Sequence, residues 1–208
     1  MDKLKTPPRA RRAHKMRQTI INTALDILNN EGLEKLSLRE IARRIDYTPA
    51  ALYEYFDSKE ALLQALVLEA DRQLTQMMRT AIQDCPVDQK LLKAGMTYIQ
   101  FAESNPQLYQ LFVNAPAPQF TSAAPAEEEC GGNSYRLLAE ILHEAYQQHV
   151  FKQPAELSLE EINFACWALV HGIASLQHLA MQGIFEAPDA VQQKILNLFI
   201  NNLINSKA

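Results

Sequence analysis

The chain has 208 residues and a net charge of −4, with 48% hydrophobic and 21% charged residues. That length accommodates one or two domains, and the composition is that of a globular protein able to bury a core. No apolar run approaches the roughly 20 residues of a bilayer-spanning helix, so we expect no membrane segment. Glycine is scarce and alternating apolar patterns are absent, so we predict an all-α fold.

The first helix is predicted from about His14 to Asn30. Apolar residues at helical spacing form its inner face: Ile20, Ile21, Ala24, Leu25 and Leu28. Asn30-Glu31-Gly32 ends the helix. Before it, the segment from Met1 to Arg17 is polar and contains Pro7-Pro8, and we expect its first part to be disordered.

Residues 36–59 are predicted to form two short helices joined by a tight turn. Ser37 and Glu40 have the spacing of a capping box, so the first helix begins at Ser37. Thr48 caps the second helix, and Pro49 follows at its first position, where a missing N–H costs nothing. This is a helix-turn-helix arrangement, whose second helix enters the major groove of DNA.

The side chains left outside this motif are suited to contact with DNA. Leu52 and Phe56 face inward, whereas the hydroxyls of Tyr53 and Tyr55 can reach phosphates and Lys59 adds a positive charge. Small residues at the start of the second helix allow close approach to base edges. The predicted DNA contacts are Ser37, Arg39, Thr48, Pro49, Ala50, Tyr53, Tyr55 and Lys59.

These residues resemble the DNA-binding domain of the TetR family of bacterial transcriptional regulators. The similarity rests on Leu52-Tyr53-x-Tyr55-Phe56-x-Ser58-Lys59-Glu60-x-Leu62, on Leu38-x-x-Ile41-Ala42, and on Ile21-x-x-Ala24-x-x-x-Leu28-x-x-x-Gly32. It covers roughly Arg17 to Leu68. Asp46 stands where the family usually has glycine, and aspartate tolerates the left-handed conformation moderately well. The resemblance implies a helix-turn-helix domain with a basic amino-terminal arm over residues 1–60, and a helical effector-binding and dimerisation domain over residues 61–208.

The distribution of charge favours DNA contact at one end of the chain. Residues 1–59 carry 12 basic and 8 acidic residues, a net charge of +4, and the remaining 8 basic and 16 acidic residues give residues 60–208 a net charge of −8. Two interpretations of the basic segment through Arg17 stay open. It is either a solvated tail or an arm that follows the DNA backbone or enters the minor groove.

The rest of the chain is predicted to be helical. Helix 4 begins at Asp57 or Ser58 and runs to about Ile82, and helices 5 and 6 follow, the latter capped by Asn105. Residues 114–133 are rich in Pro, Ala, Gly and Glu and are predicted to form a loop. Helix 7 spans about Ser134 to His149. A second capping box at Ser158 and Glu161 opens helix 8, which runs to about Gln182, and Pro188 opens helix 9.

Within helix 8, Trp167-x-x-x-His171-Gly172 resembles the signature of a TetR subgroup whose carboxy-terminal domain is named for Trp, His and Gly. His171 either packs in the core or contacts a ligand. Gly172 allows close helix approach, which suits a dimer interface or a tight core equally well.

The resemblance also implies a ligand pocket and a homodimer. The candidate pocket residues are aromatic, with one histidine and one methionine: Tyr98, Phe101, Tyr109, Phe112, Phe164, Trp167, His171 and Met181. The family implies a four-helix interface between helices 8 and 9 of two chains, and in helix 9 the apolar stripe is Val191, Ile195, Leu198, Phe199 and Leu203. Core packing would produce the same two patterns. The expected partners are a palindromic double-stranded DNA operator, a small-molecule effector and a second copy of the chain, and the expected role is repression.

Two rival classes of function are disfavoured. An enzyme is disfavoured because no familiar catalytic spacing occurs and because Cys166 and His171 lie roughly 140° apart around a helix. The three cysteines lack metal-ligand spacing and indicate a reducing cytoplasm, so neither metal nor other cofactor is predicted. A helical protein-interaction module that has lost DNA binding is the second rival, and the presence of Tyr53 and Lys59 disfavours it.

Overall fold

The computed structural model describes residues 7–114, 133–150, 157–179 and 188–203. The helices in those ranges are α1 (Pro8–Glu31), α2 (Leu38–Arg44), α3 (Pro49–Leu52), α4 (Lys59–Ile82), α5 (Val87–Ser104), α6 (Pro106–Val113), α7 (Ser134–Gln147), α8 (Leu159–Leu179) and α9 (Pro188–Leu203). No strand occurs in those ranges, and the predicted all-α fold is confirmed. The predicted loop, apart from its end residues Asn114 and Asn133, lies outside the described residues, as does the predicted end of helix 8 at Gln182.

The chain divides into two compact units. The amino-terminal unit comprises described residues within Met1–Leu68 and Gln107–Ala115, and the carboxy-terminal unit those within Glu69–Pro106 and Pro116–Ala208. The division falls inside α4, and most of α6 belongs to the amino-terminal unit. The functional boundary expected at residue 60 stays a prediction.

Helix α1 begins earlier than its sequence pattern indicates. Its first residue is Pro8, preceded by Pro7 as N-cap, whereas the predicted start was His14. Proline suits the first helical position, and the Arg and Ala residues that follow are strong helix formers. Residues 8–13, which precede the predicted start, are therefore helical. Residues 1–6, where the expected disorder would begin, lie outside the described ranges.

The two predicted capping boxes form to different extents. At α8 both halves are present, since the Ser158 backbone N–H donates to the Glu161 carboxylate at 2.7 Å and the Glu161 N–H donates to Ser158 Oγ at 3.3 Å. At α2 the Glu40 N–H donates to Ser37 Oγ at 3.2 Å. The Glu40 carboxylate instead accepts hydrogen bonds from Arg43 and Arg44, because those arginines offer charged donors one turn away.

The core of the carboxy-terminal unit forms around α5, which packs against α7, α8 and α9. The largest fully buried side chains on α5 are Tyr98 and Phe101. A buried carboxylate joins α4 to α7, since Asp71 of α4 accepts hydrogen bonds from both the backbone N–H (3.0 Å) and the hydroxyl of Ser134, the first residue of α7. Among the helices of the described ranges, none is long and apolar enough to cross a membrane.

Candidate nucleic-acid interface and ligand cavity

Helix α3 is anchored by buried side chains and capped at its amino terminus. Thr48 Oγ1 accepts a hydrogen bond from the Ala51 N–H at 3.3 Å, which satisfies one of the free donors of the first turn. Leu52 is fully buried and Phe56 is 1% exposed. With these two side chains in the core, Tyr53 remains 51% exposed, so the helix presents its other face to solvent.

The turn before α3 uses the left-handed conformation. Asp46 has φ of 56°, and the Tyr47 N–H donates to the Ala42 carbonyl at 2.9 Å across the turn. Asp46 stands where a TetR-like turn usually has glycine, and its short polar side chain tolerates this conformation better than most. The turn thus keeps the geometry that α3 needs without a glycine.

The predicted DNA contacts differ in how accessible they are. Five of them are exposed, namely Arg39, Thr48, Pro49, Ala50 and Tyr53, and three are half-buried, namely Ser37, Tyr55 and Lys59. Ser37 and Thr48 direct their hydroxyl oxygens to helix caps. Sequence reasoning overlooked Tyr47, which is 46% exposed in the turn; its place directly before the cap Thr48 was the available signal. Contact of all these side chains with DNA stays a prediction.

An ion-pair network holds α2 against the end of α1. Glu40 accepts from Arg43 at 2.7 Å and from Arg44 at 2.8 Å, and Arg44 also pairs with Glu31. The hydrogen bonds from Arg43 and Arg44 lower the pKa of Glu40 to about 2. Glu40 therefore stays ionised at any physiological pH, and the two arginines have acidic partners within the protein.

The amino-terminal turns of α1 carry a different set of cations. Arg9, Arg11, Arg12 and Lys15 are all exposed, and no acidic residue occurs in the first turn of the helix. A cation in the first turn of a helix opposes the helix dipole, and this effect falls off beyond that turn. The four cations therefore do not stabilise the start of α1. They form a positive surface that is suited to binding phosphate.

The carboxy-terminal unit contains an apolar cavity. The space open to the centre of a water molecule is about 30 Å³. Side chains from α4, α5, α7, α8 and α9 line it: Met78, Leu91, Ala94, Gly95, Tyr98, Leu138, Cys166, Trp167, Leu169, Val170, Leu196, Phe199 and Ile200. None of these residues carries a formal charge at neutral pH, and burial raises the pKa of the Cys166 thiol to about 12.

One polar pair stands at the cavity wall. The Tyr98 hydroxyl lies 2.9 Å from His171 Nδ1, and the Tyr98 ring packs edge-on against Trp167 with 5.1 Å between centroids. Burial lowers the pKa of His171, which favours the neutral form of its imidazole. The Tyr98–His171 pair can therefore orient a ligand group by hydrogen bonding without supplying charge.

The eight predicted ligand residues do not all meet at this cavity. Tyr98 and Trp167 line it, and His171 joins it through Tyr98. Phe101, Tyr109 and Phe112 are each 1% exposed and do not line it, Phe164 is 66% exposed, and Met181 lies outside the described residues. Tyr109 and Phe112 belong to the amino-terminal unit. The binding role of the set stays a prediction, and in the described ranges no three His, Cys, Asp or Glu side chains cluster as metal ligands would.

Apolar side chains also remain on the outside of α8 and α9. Phe164, Ala168, Gly172 and Leu176 recur every fourth residue along α8, with Phe164 66% and Leu176 53% exposed. A Cβ atom added at Gly172 would meet no described atom within 4 Å apart from its chain neighbours and the backbone of its own helix. Among the described residues, this glycine is therefore not part of a tight core. On α9, Leu198 is 68% exposed.

The α9 stripe is divided between two environments. Leu198 and Ile195 are exposed, whereas Phe199, which the sequence placed in the same stripe, is half-buried and lines the cavity. The reason is rotation around the helix, since adjacent residues lie about 100° apart.

Comparison with known proteins assigns both halves of the chain to one family. Residues 20–66 match the family model described as bacterial regulatory proteins, tetR family, and residues 91–199 match that of the tetracyclin repressor-like C-terminal domain. The second match alone spans more than half of the chain. The more specific resemblance around Trp167, His171 and Gly172 stays a prediction.

Solved structures share the fold. A protein of unknown function from Rhodococcus sp. RHA1 aligns at 24% identity and a TM-score of 0.74, covering 91% of this chain and 96% of that chain. A TetR family transcription regulator from Marinobacter aquaeolei VT8 aligns at 16% identity with a TM-score of 0.66, covering 95% and 100%. The ketosteroid transcriptional regulator KstR2 of Mycobacterium tuberculosis aligns at 15% identity with a TM-score of 0.58, covering 92% of this chain and 96% of that chain.

Three findings therefore indicate the same family. They are the capped helix-turn-helix in the amino-terminal unit, the apolar cavity in the carboxy-terminal unit, and the family matches over both units. The chain belongs to the TetR family and is a ligand-responsive, DNA-binding transcriptional regulator.

Proposed function

We propose that this regulator is a repressor that binds a palindromic operator as a homodimer and is released by a neutral, largely apolar small molecule. Residues 1–60 bind DNA, and residues 61–208 bind the effector and form the dimer. The observation that carries the proposal is the helix-turn-helix. Leu52, the last residue of α3, is fully buried, whereas the next residue, Tyr53, is 51% exposed.

The DNA-binding surface combines two kinds of contact. The exposed start of α3, with Thr48, Pro49 and Ala50, has small side chains that permit close approach to base edges in the major groove. Tyr53, Lys59 and the cations of α1 are suited to phosphates, which position a protein on DNA without specifying sequence.

The homodimer is supported by the exposed apolar stripe on α8 and by Leu198 on α9. The stripe contains Phe164 and Leu176, both more than half exposed. Gly172 lies between them, and no described residue of another helix lies within 4 Å of the position that a Cβ atom would take there. A facing helix of a second chain can therefore approach closely. Pairing two DNA-binding domains doubles the number of base contacts and matches the two-fold symmetry of a palindrome.

The chemical class of the effector follows from the cavity wall. Uncharged side chains line the cavity, burial raises the pKa of the Cys166 thiol, and burial lowers the pKa of His171. Both shifts favour the uncharged form of the side chain. A charged ligand would lose its hydration there without gaining an opposite charge. The cavity therefore favours a neutral molecule with an apolar body and one hydroxyl or carbonyl for Tyr98.

The size of the cavity supports release by a shift between conformations. Pockets that hold drug-sized ligands enclose about 300–1,000 Å³, whereas this cavity admits water centres over only about 30 Å³. The effector must therefore bind a conformation in which the cavity is wider. If that conformation holds the two DNA-binding domains at a spacing unsuited to the operator, effector binding weakens DNA binding. By linkage, DNA then weakens effector binding by the same factor.

The test begins with DNA selected by the wild-type protein from a random-sequence library, here called the selected duplex. Neutral apolar compounds, each paired with its carboxylate analogue, are titrated against Trp167 fluorescence, because Trp167 lines the cavity and is the only tryptophan. We expect neutral members to change the fluorescence and to lower affinity for the selected duplex. A compound that binds near Trp167 without changing DNA affinity would contradict the proposed release.

Gly95→Ala provides a variant of the cavity wall. Its new methyl group would lie 3.2 Å from Leu196 and 3.3 Å from Val170, which narrows the cavity. We expect weaker compound binding, with affinity for the selected duplex in the absence of compound as the internal control. Unchanged compound affinity in this variant would place the ligand elsewhere.

A further inference from the structure

The recognition helix α3 is too short to hold its own position. It has four residues, whereas isolated helices need about 12–15 residues to be even marginally stable in water. Its start is capped by Thr48 and its underside is buried through Leu52 and Phe56. Tyr53, which ends α3, keeps helical dihedral angles, and the chain then turns away from the helix by Phe56. The carbonyl groups of this turn are not held by a continuing helix.

One of these carbonyl groups has its partner on α1. Arg17 Nη1 donates a hydrogen bond to the Tyr55 carbonyl oxygen at 3.0 Å, across 38 residues of sequence. The same guanidinium lies over the Phe56 ring, 4.3 Å from its centroid. A planar cation over an aromatic face is attracted to the ring, and its N–H groups still point outward in the plane. Two consecutive residues at the exit of α3 are thus held by a single side chain.

We propose that Arg17 is a positioning residue for the recognition segment Thr48–Tyr55. By holding the Tyr55 carbonyl and the Phe56 ring, it fixes the orientation of α3. The first residues of that helix, Thr48, Pro49 and Ala50, are the ones that approach base edges. Arg17 is exposed, as are Arg9, Arg11, Arg12 and Lys15 of the same helix, but its guanidinium is bonded to the protein at Tyr55. The proposal rests on the proposed DNA-binding segment and adds to it a residue that acts through the protein backbone.

Substitutions at Arg17 separate positioning from direct contact with phosphate. Arg17→Lys keeps the charge but removes the planar stack and the fixed direction of the donors, because an ammonium is a compact point charge. Arg17→Met keeps the aliphatic stem and removes both the hydrogen bond and the cation–ring interaction. Arg12→Met is the matched control, since Arg12 is an exposed cation five residues earlier on α1.

The measurements are affinity for the selected duplex, affinity for random-sequence duplex, the slope of log affinity against log salt, and the midpoint of urea unfolding. For Arg17→Lys and Arg17→Met we expect the ratio of selected to random affinity to fall about two- to tenfold, the net effect of removing one hydrogen bond. The salt slope of Arg17→Lys should match that of wild type. Arg12→Met should weaken both affinities together and reduce the slope by roughly 0.9.

Several results would overturn the proposal. If Arg17→Lys behaves as wild type while Arg17→Met behaves as Arg12→Met, Arg17 is a phosphate contact. If neither substitution changes the affinity ratio, the two interactions do not position α3. If Arg17→Met unfolds, Arg17→Lys alone decides, with binding measured where its urea curve shows it folded. Failure of the wild-type protein to select any duplex would instead contradict the proposed function.

Discussion

At the scale of single residues, Asp46 shows what the turn between α2 and α3 requires. Its φ of 56° is a conformation in which a β-branched residue is strongly disfavoured. We expect Asp46→Val to lower the free energy of unfolding by about 1–2 kcal/mol. Asp46→Gly should stay near wild type, because glycine removes the strain and adds entropy to the unfolded chain in similar amounts. Urea unfolding of both variants is the measurement, and equal stability of the Val and Gly variants would contradict the assigned conformation.

Asp71 is the buried residue for which a pH dependence can be derived. Burial raises its pKa above 3.8, although the hydrogen bonds from Ser134 act in the opposite direction. The folded state therefore binds the Asp71 proton more tightly than the unfolded state does. Its contribution to stability is fully present below pH 3.8 and is lost as the pH rises through the raised folded pKa.

Two substitutions isolate this contribution. Asp71→Asn keeps an oxygen that can accept from both Ser134 donors and removes the titration, so its stability relative to wild type should rise with pH across that window. Asp71→Ala leaves the buried Ser134 N–H without its acceptor and should cost about 1–3 kcal/mol. Urea unfolding at a series of pH values checks both. A constant difference between wild type and Asp71→Asn would show that Asp71 titrates alike in the two states.

Tyr53 and Lys59 carry the predicted contacts with phosphate. Phosphate contacts position the protein without reading sequence, so Tyr53→Phe and Lys59→Ala should weaken binding to the selected and random duplexes by similar factors, about two- to tenfold. Tyr146→Phe is the control, because Tyr146 is a similarly exposed tyrosine, 49%, on α7. Fluorescence anisotropy with the selected and the random duplex measures these affinities. A loss confined to the selected duplex would assign these side chains to base recognition.

At the scale of elements, α1 turns the basic amino terminus into a structured surface. The sequence left two interpretations of this segment open, a solvated tail or a DNA-binding arm, and it predicted no helix before His14. In the structure Arg9, Arg11 and Arg12 lie on the helix. A helix holds these charges at fixed spacing, which supports a contact with the DNA backbone. The whole basic set of residues 1–12 is Lys3, Lys5, Arg9, Arg11 and Arg12.

Deletion of residues 1–12 is therefore expected to lower DNA affinity and to flatten its salt dependence. Each phosphate contact that the deletion removes should reduce the slope of log affinity against log salt by roughly 0.9. The interactions of Arg17 with Tyr55 and Phe56 lie beyond the deletion, so the ratio of selected to random affinity should persist. An unchanged slope would show that the cations do not contact DNA.

At the scale of the whole molecule, the assembly state depends on which α9 residues face outward. Phe199 belongs to the apolar stripe of helix 9 that the family resemblance implied for the dimer interface, but it lines the cavity. Phe199→Asp should therefore destabilise the carboxy-terminal unit itself. Leu198 is 68% exposed, and an aspartate there remains solvated in a single chain.

We therefore expect Leu198→Asp to give a folded monomer with weak operator binding. Burying the new carboxylate in a dimer should weaken association on the order of a hundredfold or more. Sedimentation should show half the mass of the wild-type protein, and circular dichroism should show unchanged helicity. Gly172→Leu is a second probe, since its side chain meets open space in one chain. A wild-type protein that sediments as a monomer would contradict the proposed dimer.

Local patterns were sufficient to determine most of the helices. Ser37, Thr48 and Ser158 each cap the helix that the sequence assigned to them, and Pro188 begins α9. Capping and helical periodicity depend on residues three or four apart, so the sequence carries them directly. The same patterns with the residues quoted from Leu38 to Leu62 were specific enough to indicate the family.

Only the tertiary structure decided which residues of different helices meet. Arg17 reaches Tyr55 across 38 residues, Asp71 reaches Ser134 across 63, and five helices contribute to the cavity. No local pattern distinguishes an aromatic residue that lines a cavity, such as Trp167, from one that is buried elsewhere, such as Phe112, or from one that is exposed, such as Phe164. All three lie at helical spacing, and their environments depend on how each helix is rotated against its neighbours, which the packing of the assembled unit determines.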